Sequence, residues 1–517
     1  MLSPYASEVC VTGQAVIGVD VGTSSTKGVL VGLDGTVHAQ AVRQHAVARP
    51  YPGHVEMDAR IWWEELVDIT RELLASVAGG MEVAAIGVSG MGPCVLLADS
   101  VGEPLRPAIL YGVDTRATDQ IARIEAELGA DEVMARGHAR LSSQAIGPKL
   151  AWLAEHEPSV VEQAAYAFGA NGWLAWKLTG SWLQDHHSAS QWWPLYDVDR
   201  GAWHEPWVKL ICPGVPLPPL AWPGDVAGTV TATAAAATGL LAGTPVVLGT
   251  IDAWSEAVSV GAQRPGDLML MYGTTMFLIA TVSSSVTSPA LWGTVGAFPG
   301  TYSLAGGMAT SGAITSWLRD LFGTPGYATL LDEADAAGIG ANGLAMLPYF
   351  AGERTPIQDP DARGVVAGLT LTHNRGDLYR AALEATAFGV RHNIEAMTSA
   401  GARFDRIVAV GGGVQGGLWT QIVSDVTGLT QVVPSQTVGA SLGAAYLAAA
   451  AIADVDIDDW NPPAGIREPD PRATASYDEA YAWYRALYPA TRDIAHALAE
   501  RQRGATGSER APTPPAS

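Results

Sequence analysis

Apolar residues in this chain fall mostly into short runs bounded by glycine and small polar residues, and only a few stretches carry helical periodicity. Short apolar runs between turn residues read as buried strands, and an apolar face repeating every three to four residues reads as a helix. On that basis strands are expected at 15–20, 28–34, 36–45 and 84–89, with Asp34-Gly35 as a hairpin turn. Residues 60–77 carry Trp62, Trp63, Leu66, Ile69 and Leu73 on one helical face, and a further helix is expected near 148–156. Proline and glycine crowd 213–224, which predicts an irregular connection. The pattern then restarts. Strands are expected at 245–249, leading to Asp252, and at 268–271, leading to Gly273-Thr274-Thr275. A long helix is expected at 377–399, a strand at 406–410 and helices at 418–427 and 440–452. Strand, small-residue turn, strand thus occurs twice, which predicts two similar α/β halves.

At 517 residues the chain exceeds the usual single core, so two large domains are the default. Apolar content is 48% and mean hydropathy +0.15, as in a soluble enzyme. No apolar run approaches bilayer length, and Met1 to Cys10 lacks the basic and apolar regions of a secretory leader, so a cytoplasmic location is expected. Cys10, Cys94 and Cys212 are odd in number and scattered, which predicts neither a disulfide framework nor a metal site. A net charge of −22 argues against nucleic acid and against an anionic membrane as partners. It also singles out Lys27, one of only four lysines, because a polyphosphate site in an acidic chain needs local positive charge or a metal. The tail from Arg503 to Ser517 is poor in apolar residues and is expected to be disordered.

Four stretches carry candidate chemistry. Asp20-Val-Gly22-Thr23-Ser24-Ser-Thr-Lys27 combines an acid, hydroxyls and a lysine at one hairpin tip. With no bulky side chain in the way, backbone N–H groups there can reach phosphate oxygens, and Asp20 can hold a hydrated Mg²⁺. Asp252 follows a buried strand and can act as a general base toward a hydroxyl, or simply cap a helix. Gly273-Thr274-Thr275 is either a second phosphate turn or a plain one. Gly411 to Gly417 holds five glycines between a strand and a helix, open to a flat nucleotide or to close strand–helix packing. The tryptophans of 173–207, Trp192 among them, can stack on a sugar ring or pack a core. Tyr111, Asp114 and Arg116 can bind substrate hydroxyls or form a structural ion pair.

Taken together these motifs resemble the FGGY family of carbohydrate kinases, over about residues 15–450. Asp20-x-Gly22-Thr23 resembles its first phosphate motif, Gly273-Thr274-Thr275 its second and Gly411 to Gly417 its adenosine motif. The most specific stretch is 364–384, Gly-x-Val-x-Gly-Leu followed at family spacing by Asp377-Leu378 and Ala381-Ala-Leu-Glu384. The resemblance implies an α/β fold of two RNase-H-like domains around a central cleft, of the actin/hexokinase/Hsp70 superfold. The halves are expected at 14–246, binding the sugar, and 247–490, binding the nucleotide. It implies ATP and Mg²⁺ as cofactors, with Asp252 as the general base and Mg²⁺ near Asp20 and Asp252. Phosphate and ATP contacts are expected from Gly22, Thr23, Ser24, Lys27, Gly273, Thr274, Gly312, Ser316, Gly412 and Gly416.

The order of motifs is most similar to the xylulose-kinase branch, which predicts phosphorylation of a ketose-like sugar or polyol. The alternatives are a ribulose, gluconate, fuculose or rhamnulose type of kinase, or a non-catalytic nucleotide- or sugar-binding relative. Substrate contacts are expected from Gly92, Pro93, Tyr111, Asp114, Trp192 and Asp252. Where the xylulose branch carries Met-His, this chain has Gly92-Pro93, which predicts added room beside the acceptor. The expected partner is a small molecule, with a homodimer left open.

Overall fold

The computed structural model describes residues 13–76 and 80–508, so Cys10 lies outside the described residues. The chain divides into two compact units. Among the described residues, the first takes in 13–76, 80–265, 281–303 and 435–462; the second takes in 266–280, 304–434 and 463–508.

The first unit is built on a six-stranded mixed sheet. Its order is Val226–Thr229, Pro245–Val247, Glu82–Gly90, Gln14–Val21, Ser25–Gly32, Val37–Gln44. Gln14–Val21 runs parallel to Glu82–Gly90 and antiparallel to Ser25–Gly32. The ladder pairs Val21 with Thr26 and Asp20 with Lys27, so residues expected to form a broad turn are already strand. The tip shrinks to Gly22–Ser24, with Asp20 at its base. Helix Ala59–Ser76 covers one face, burying Trp62, Leu66, Ile69 and Leu73. Helix Ala440–Ala450 packs Leu442, Ala445 and Leu447 against Val16, Val29 and Ala85 of the sheet.

The second unit's sheet places Tyr302–Met308, Met276–Val282, Asp267–Tyr272, Arg406–Val410, Gln431–Pro434 and Pro463–Arg467 side by side. Asp267–Tyr272 is antiparallel to Met276–Val282 and parallel to Arg406–Val410, and the last pair is antiparallel. Both sheets therefore set a hairpin beside parallel strands and end on an antiparallel edge, the duplication expected from the repeated turn. Helix Arg375–Ser399 starts on a capping box in which Asn374 and Asp377 satisfy each other's backbone N–H groups.

The partition differs from the expected break at residue 246. Pro245–Val247 pairs with Glu82–Gly90, and Ser255 of the following helix, Asp252–Ser259, donates to the Ala440 carbonyl. Asp252 therefore belongs to the first unit, with Asp20. The stretch expected to be disordered from Arg503 starts on helix Pro471–Ser508, and residues 509–517 lie outside the described residues.

Candidate active site

Two buried strand ends deliver the acids of the first unit. After Pro245–Val247 the chain turns at Gly249, whose φ of +63° lies in the left-handed region. A Cβ there would stand 1.6 Å from the Val88 carbonyl oxygen, so only glycine permits the turn. Buried polar groups fix it from below. Asn171 Nδ2 donates to the carbonyls of Leu248 and Gly249, each at 3.2 Å, and to Asp185 Oδ2 at 2.9 Å. Thr250 Oγ1 donates to Asp185 Oδ1 at 2.8 Å. Asp252 then opens its helix, and its Oδ1 accepts the N–H of Ala253 at 2.8 Å. The helix is capped at Ile251 with no side-chain hydrogen bond, so Asp252 is its first residue and not its cap, and the other carboxylate oxygen is left for chemistry.

Asp252, Asp20 and Glu256 share one electrostatic neighbourhood. Burial raises the proton affinity of Asp20. Asp252 is raised further, first by burial and then by the charge of Asp20. Glu256 is pushed up to about 7 by burial and then by Asp20, with Lys27 drawing it back. Asp20 Oδ1 is buried without a hydrogen-bond partner among the described residues. Crowded carboxylates and an orphaned carboxylate oxygen fit a divalent cation. No group of three His, Cys, Asp or Glu side chains among the described residues forms a ready cage. That donor set suits Mg²⁺, which keeps most of its waters and takes one or two carboxylates plus phosphate oxygens.

The first hairpin tip turns its carbonyls inward. Val21 O accepts from Met91 N at 2.6 Å, Ser24 O from His45 N at 3.1 Å, and Ser25 O from Gly22 N at 3.0 Å. Gly22 O accepts from His45 Nε2 at 2.9 Å. The N–H groups of Thr23 and Ser24 have no partner among the described residues. Lys27 is exposed three residues on, across the ladder from Asp20.

Thr23 Oγ1 meets the Tyr111 hydroxyl at 2.9 Å, and burial, with a further push from Asp252, raises the Tyr111 phenol. Tyr111 is thereby brought to the hairpin and into the field of Asp252. The buried Lys149 sets its backbone, donating to the carbonyls of Leu110 at 2.6 Å and Tyr111 at 2.8 Å. Burial brings the Lys149 ammonium down to about 7.

Two expected substrate contacts need correction, and so does the room predicted at Gly92. Asp114 is fully buried, accepting from the backbone N–H of Val55 at 2.6 Å and paired with Arg116 at 2.7 Å, so it is the structural ion pair. Trp192 is fully enclosed with Trp193, Leu150 and Ile146 and cannot reach a ligand. The added room at Gly92 is absent, because a Cβ there would lie 2.6 Å from Ile251 Cγ1. Ile251, immediately before Asp252, fills it. Pro93 is buried beside it.

The second unit holds a cavity of about 380 Å³, the size of a small-ligand site. Gly273, Thr274, Gly312, Ser316 and Gly412, five of the residues expected at the nucleotide, line it. Gly416 does not, and its neighbour Gln415 does. The start of helix Gly312–Leu321 caps the second hairpin. Gly312 N donates to Gly273 O at 2.9 Å, and Ser311 N and Ala313 N donate to Thr274 O at 3.0 and 3.1 Å. A Cβ on Gly312 would come within 2.6 Å of Gly273 O, which explains the glycine. Tyr272, Tyr327, Tyr379 and Trp419 supply aromatic wall that was not read from the sequence. Trp419 sits edge-on to Tyr272 with centroids 5.2 Å apart, and its Nε1 donates to Thr386 at 2.9 Å. Its place in the first turn after the glycine run is the one signal that could have found it.

A hairpin with free N–H groups and an acid at a strand end in the first unit, and a second hairpin beside an aromatic-walled cavity in the other, accord with a phosphotransferase of the actin/hexokinase-like fold. The chain belongs to the FGGY family of carbohydrate kinases: the family's N-terminal domain matches residues 15–259 and its C-terminal domain residues 268–452. Among curated relatives it is 29% identical to the xylulose kinase of Escherichia coli (strain K12), over 91% of this chain and 98% of that one. It is 32% identical to the glycerol kinase of Methylorubrum populi, over 84% and 89%. The crystal structure of xylulose kinase from Rhodospirillum rubrum superposes with a TM-score of 0.87 at 33% identity, over 93% of this chain and all of that one. No helix among the described residues is long and apolar enough to cross a membrane. Cys94 and Cys212 are buried free thiols.

Proposed function

We propose that this carbohydrate kinase transfers the γ-phosphoryl group of ATP to a hydroxyl of a small ketose-like sugar or polyol, with Asp252 as the general base. The observation that carries the reading is the placement of Asp252 at a strand end held by Asn171 and Thr250, with one carboxylate oxygen not taken by the Ala253 N–H and Asp20 in its electrostatic neighbourhood. With Mg²⁺ beside it to favour the ionised form, the Asp252 carboxylate would accept the hydroxyl proton as the loose transition state develops. Asp20 and Asp252 would hold Mg²⁺ through its waters, and the ion, when bound, supplies charge neutralisation on the phosphates. The free N–H groups of Thr23 and Ser24 offset charge on the transferred group. Tyr111, tied to Thr23, orients the acceptor. Were the acceptor to lie along Gly92, Ile251 packed against it would narrow that side and favour a small acceptor.

Similarity to xylulose kinases supports a ketose. The test is ATP consumption by the purified chain with Mg²⁺ across xylulose, ribulose, fuculose, rhamnulose, gluconate and glycerol. Turnover with a ketose supports the reading, and Asp252→Asn should reduce it by at least about a thousandfold. Tight Mg-ATP binding with no stimulated turnover on any acceptor would instead favour a non-catalytic binding protein.

A further inference from the structure

We propose that His45 is a positioning residue for the first hairpin, locking its carbonyls away from the phosphate it receives. The inference rests on the reading of that hairpin as a phosphate loop. A tight loop near a polyphosphate faces a general difficulty: its carbonyl oxygens repel the ligand as strongly as its N–H groups attract it. The loop is useful only if the carbonyls are held elsewhere.

The two hairpins meet this difficulty by different means. At the second, the first N–H groups of helix Gly312–Leu321 and its preceding residue take the carbonyls of Gly273 and Thr274. The first hairpin has no helix start among its hydrogen-bond donors. Strand Val37–Gln44 ends there instead, and the next residue does the equivalent work. The backbone N–H of His45 takes Ser24 O at 3.1 Å, and its Nε2 takes Gly22 O at 2.9 Å. One residue thus restrains two of the loop's carbonyls.

The ring is itself fixed. Nδ1 faces Glu65 Oε2 at 2.8 Å, and the Thr26 hydroxyl donates to that same oxygen. A carbonyl only accepts, so Nε2 carries the proton it donates to Gly22, while Nδ1 shares one with the Glu65 carboxylate. The His45 and Glu65 side chains are 4% and 13% exposed, so water does not compete effectively for either. Glu65 stands on helix Ala59–Ser76, and the chain helix–Glu65–His45–Gly22 therefore ties the hairpin tip to the packed core.

The test is calorimetric titration of the full chain with Mg-ATP and, separately, with adenosine, accompanied by thermal unfolding. His45→Leu should weaken Mg-ATP by about tenfold and leave adenosine unchanged, since a hydrogen bond holding the phosphate loop is lost. His45→Gln, whose amide N–H can still reach Gly22 O, should restore most of the affinity, and Glu65→Gln should fall between. Ser24→Pro, which deletes a loop N–H, reports on the phosphate reading itself. If Ser24→Pro weakens Mg-ATP while His45→Leu does not, the role of His45 is refuted and the phosphate loop stands. If neither changes Mg-ATP affinity, the phosphate reading fails and this inference with it. Equal losses for adenosine and Mg-ATP in His45→Leu, with a lowered melting temperature, would reduce His45 to a structural residue. Should His45→Leu not fold, His45→Gln against Glu65→Gln carries the comparison, and equal Mg-ATP affinity in both and in the parent overturns the proposal.

Discussion

Asp252→Asn should make the ligand-free protein more stable while abolishing phosphoryl transfer. Burial and then the charge of Asp20 hold the Asp252 carboxyl at about 8, against about 4 in an unfolded chain. Between those values the folded protein keeps a proton that the unfolded chain has released. Folded-state stability therefore declines as pH rises through the window, by at most about 1.4 kcal/mol per pH unit. Asparagine has the same shape and no charge to lose, so the variant escapes this decline. The full shift sets a ceiling of about 5 kcal/mol, and relaxation of a partly water-accessible site reduces the expected gain to about 2 kcal/mol at pH 8. The gap should close as the pH falls toward 4. Urea unfolding of parent and variant at pH 5, 6.5 and 8 measures it. Tryptophan fluorescence reports the relevant unit, because Trp62, Trp173, Trp192 and Trp193 are all buried in it. Millimolar Mg²⁺ should narrow the gap by stabilising the ionised parent. A variant that is less stable than the parent at pH 8, or a pair with parallel pH dependence, would refute the reasoning.

Trp192→Ala should cost about 3–5 kcal/mol of stability through a core cavity while leaving the acceptor KM of the folded fraction unchanged, measured by unfolding and steady-state kinetics on one preparation. A selective rise in acceptor KM would return Trp192 to the pocket. Trp419→Ala should weaken adenosine and Mg-ATP alike by about tenfold in calorimetric titration, since it removes wall from the aromatic cavity and leaves both hairpins intact. Ile251→Ala should open the side of the acceptor pocket at Gly92, so that kcat/KM for larger ketoses rises relative to the preferred substrate; an unchanged ranking across the acceptor panel would place the wall elsewhere.

The elements that carry chemistry were legible because each is a short apolar strand ending abruptly in polar or glycine residues. Strand, tip and acid could be read at Asp20, and the same grammar marked Gly273 and the approach to Asp252. Local sequence could not decide whether Asp252 caps a helix or serves as a base, because the two differ by one position: the helix is capped at Ile251 and Asp252 is its first residue. The partition was not legible, because it depends on residues 435–462 returning to the first unit, where the Ala440 carbonyl accepts from Ser255. Nothing near Asp252 announces that helix. The tryptophan-rich segment was ambiguous for a different reason. A ring that stacks on sugar and a ring that fills a core have the same composition, and only enclosure separates them.

Gly92 shows the same limit in reverse. A small residue where the resemblance leads to the expectation of a larger one reads as space only if its neighbours stay the same. Here the space is taken by Ile251, more than 150 residues further along the chain and adjacent to the proposed base. Close packing makes such exchanges the rule, since a vacated volume is either refilled or costs stability. On the proposed reading, in which Gly92 faces the acceptor, acceptor preference is a property of the Gly92–Ile251 pair. Because Ile251 precedes Asp252 in the same turn, a change in pocket width at this point cannot be made without bearing on the placement of the base.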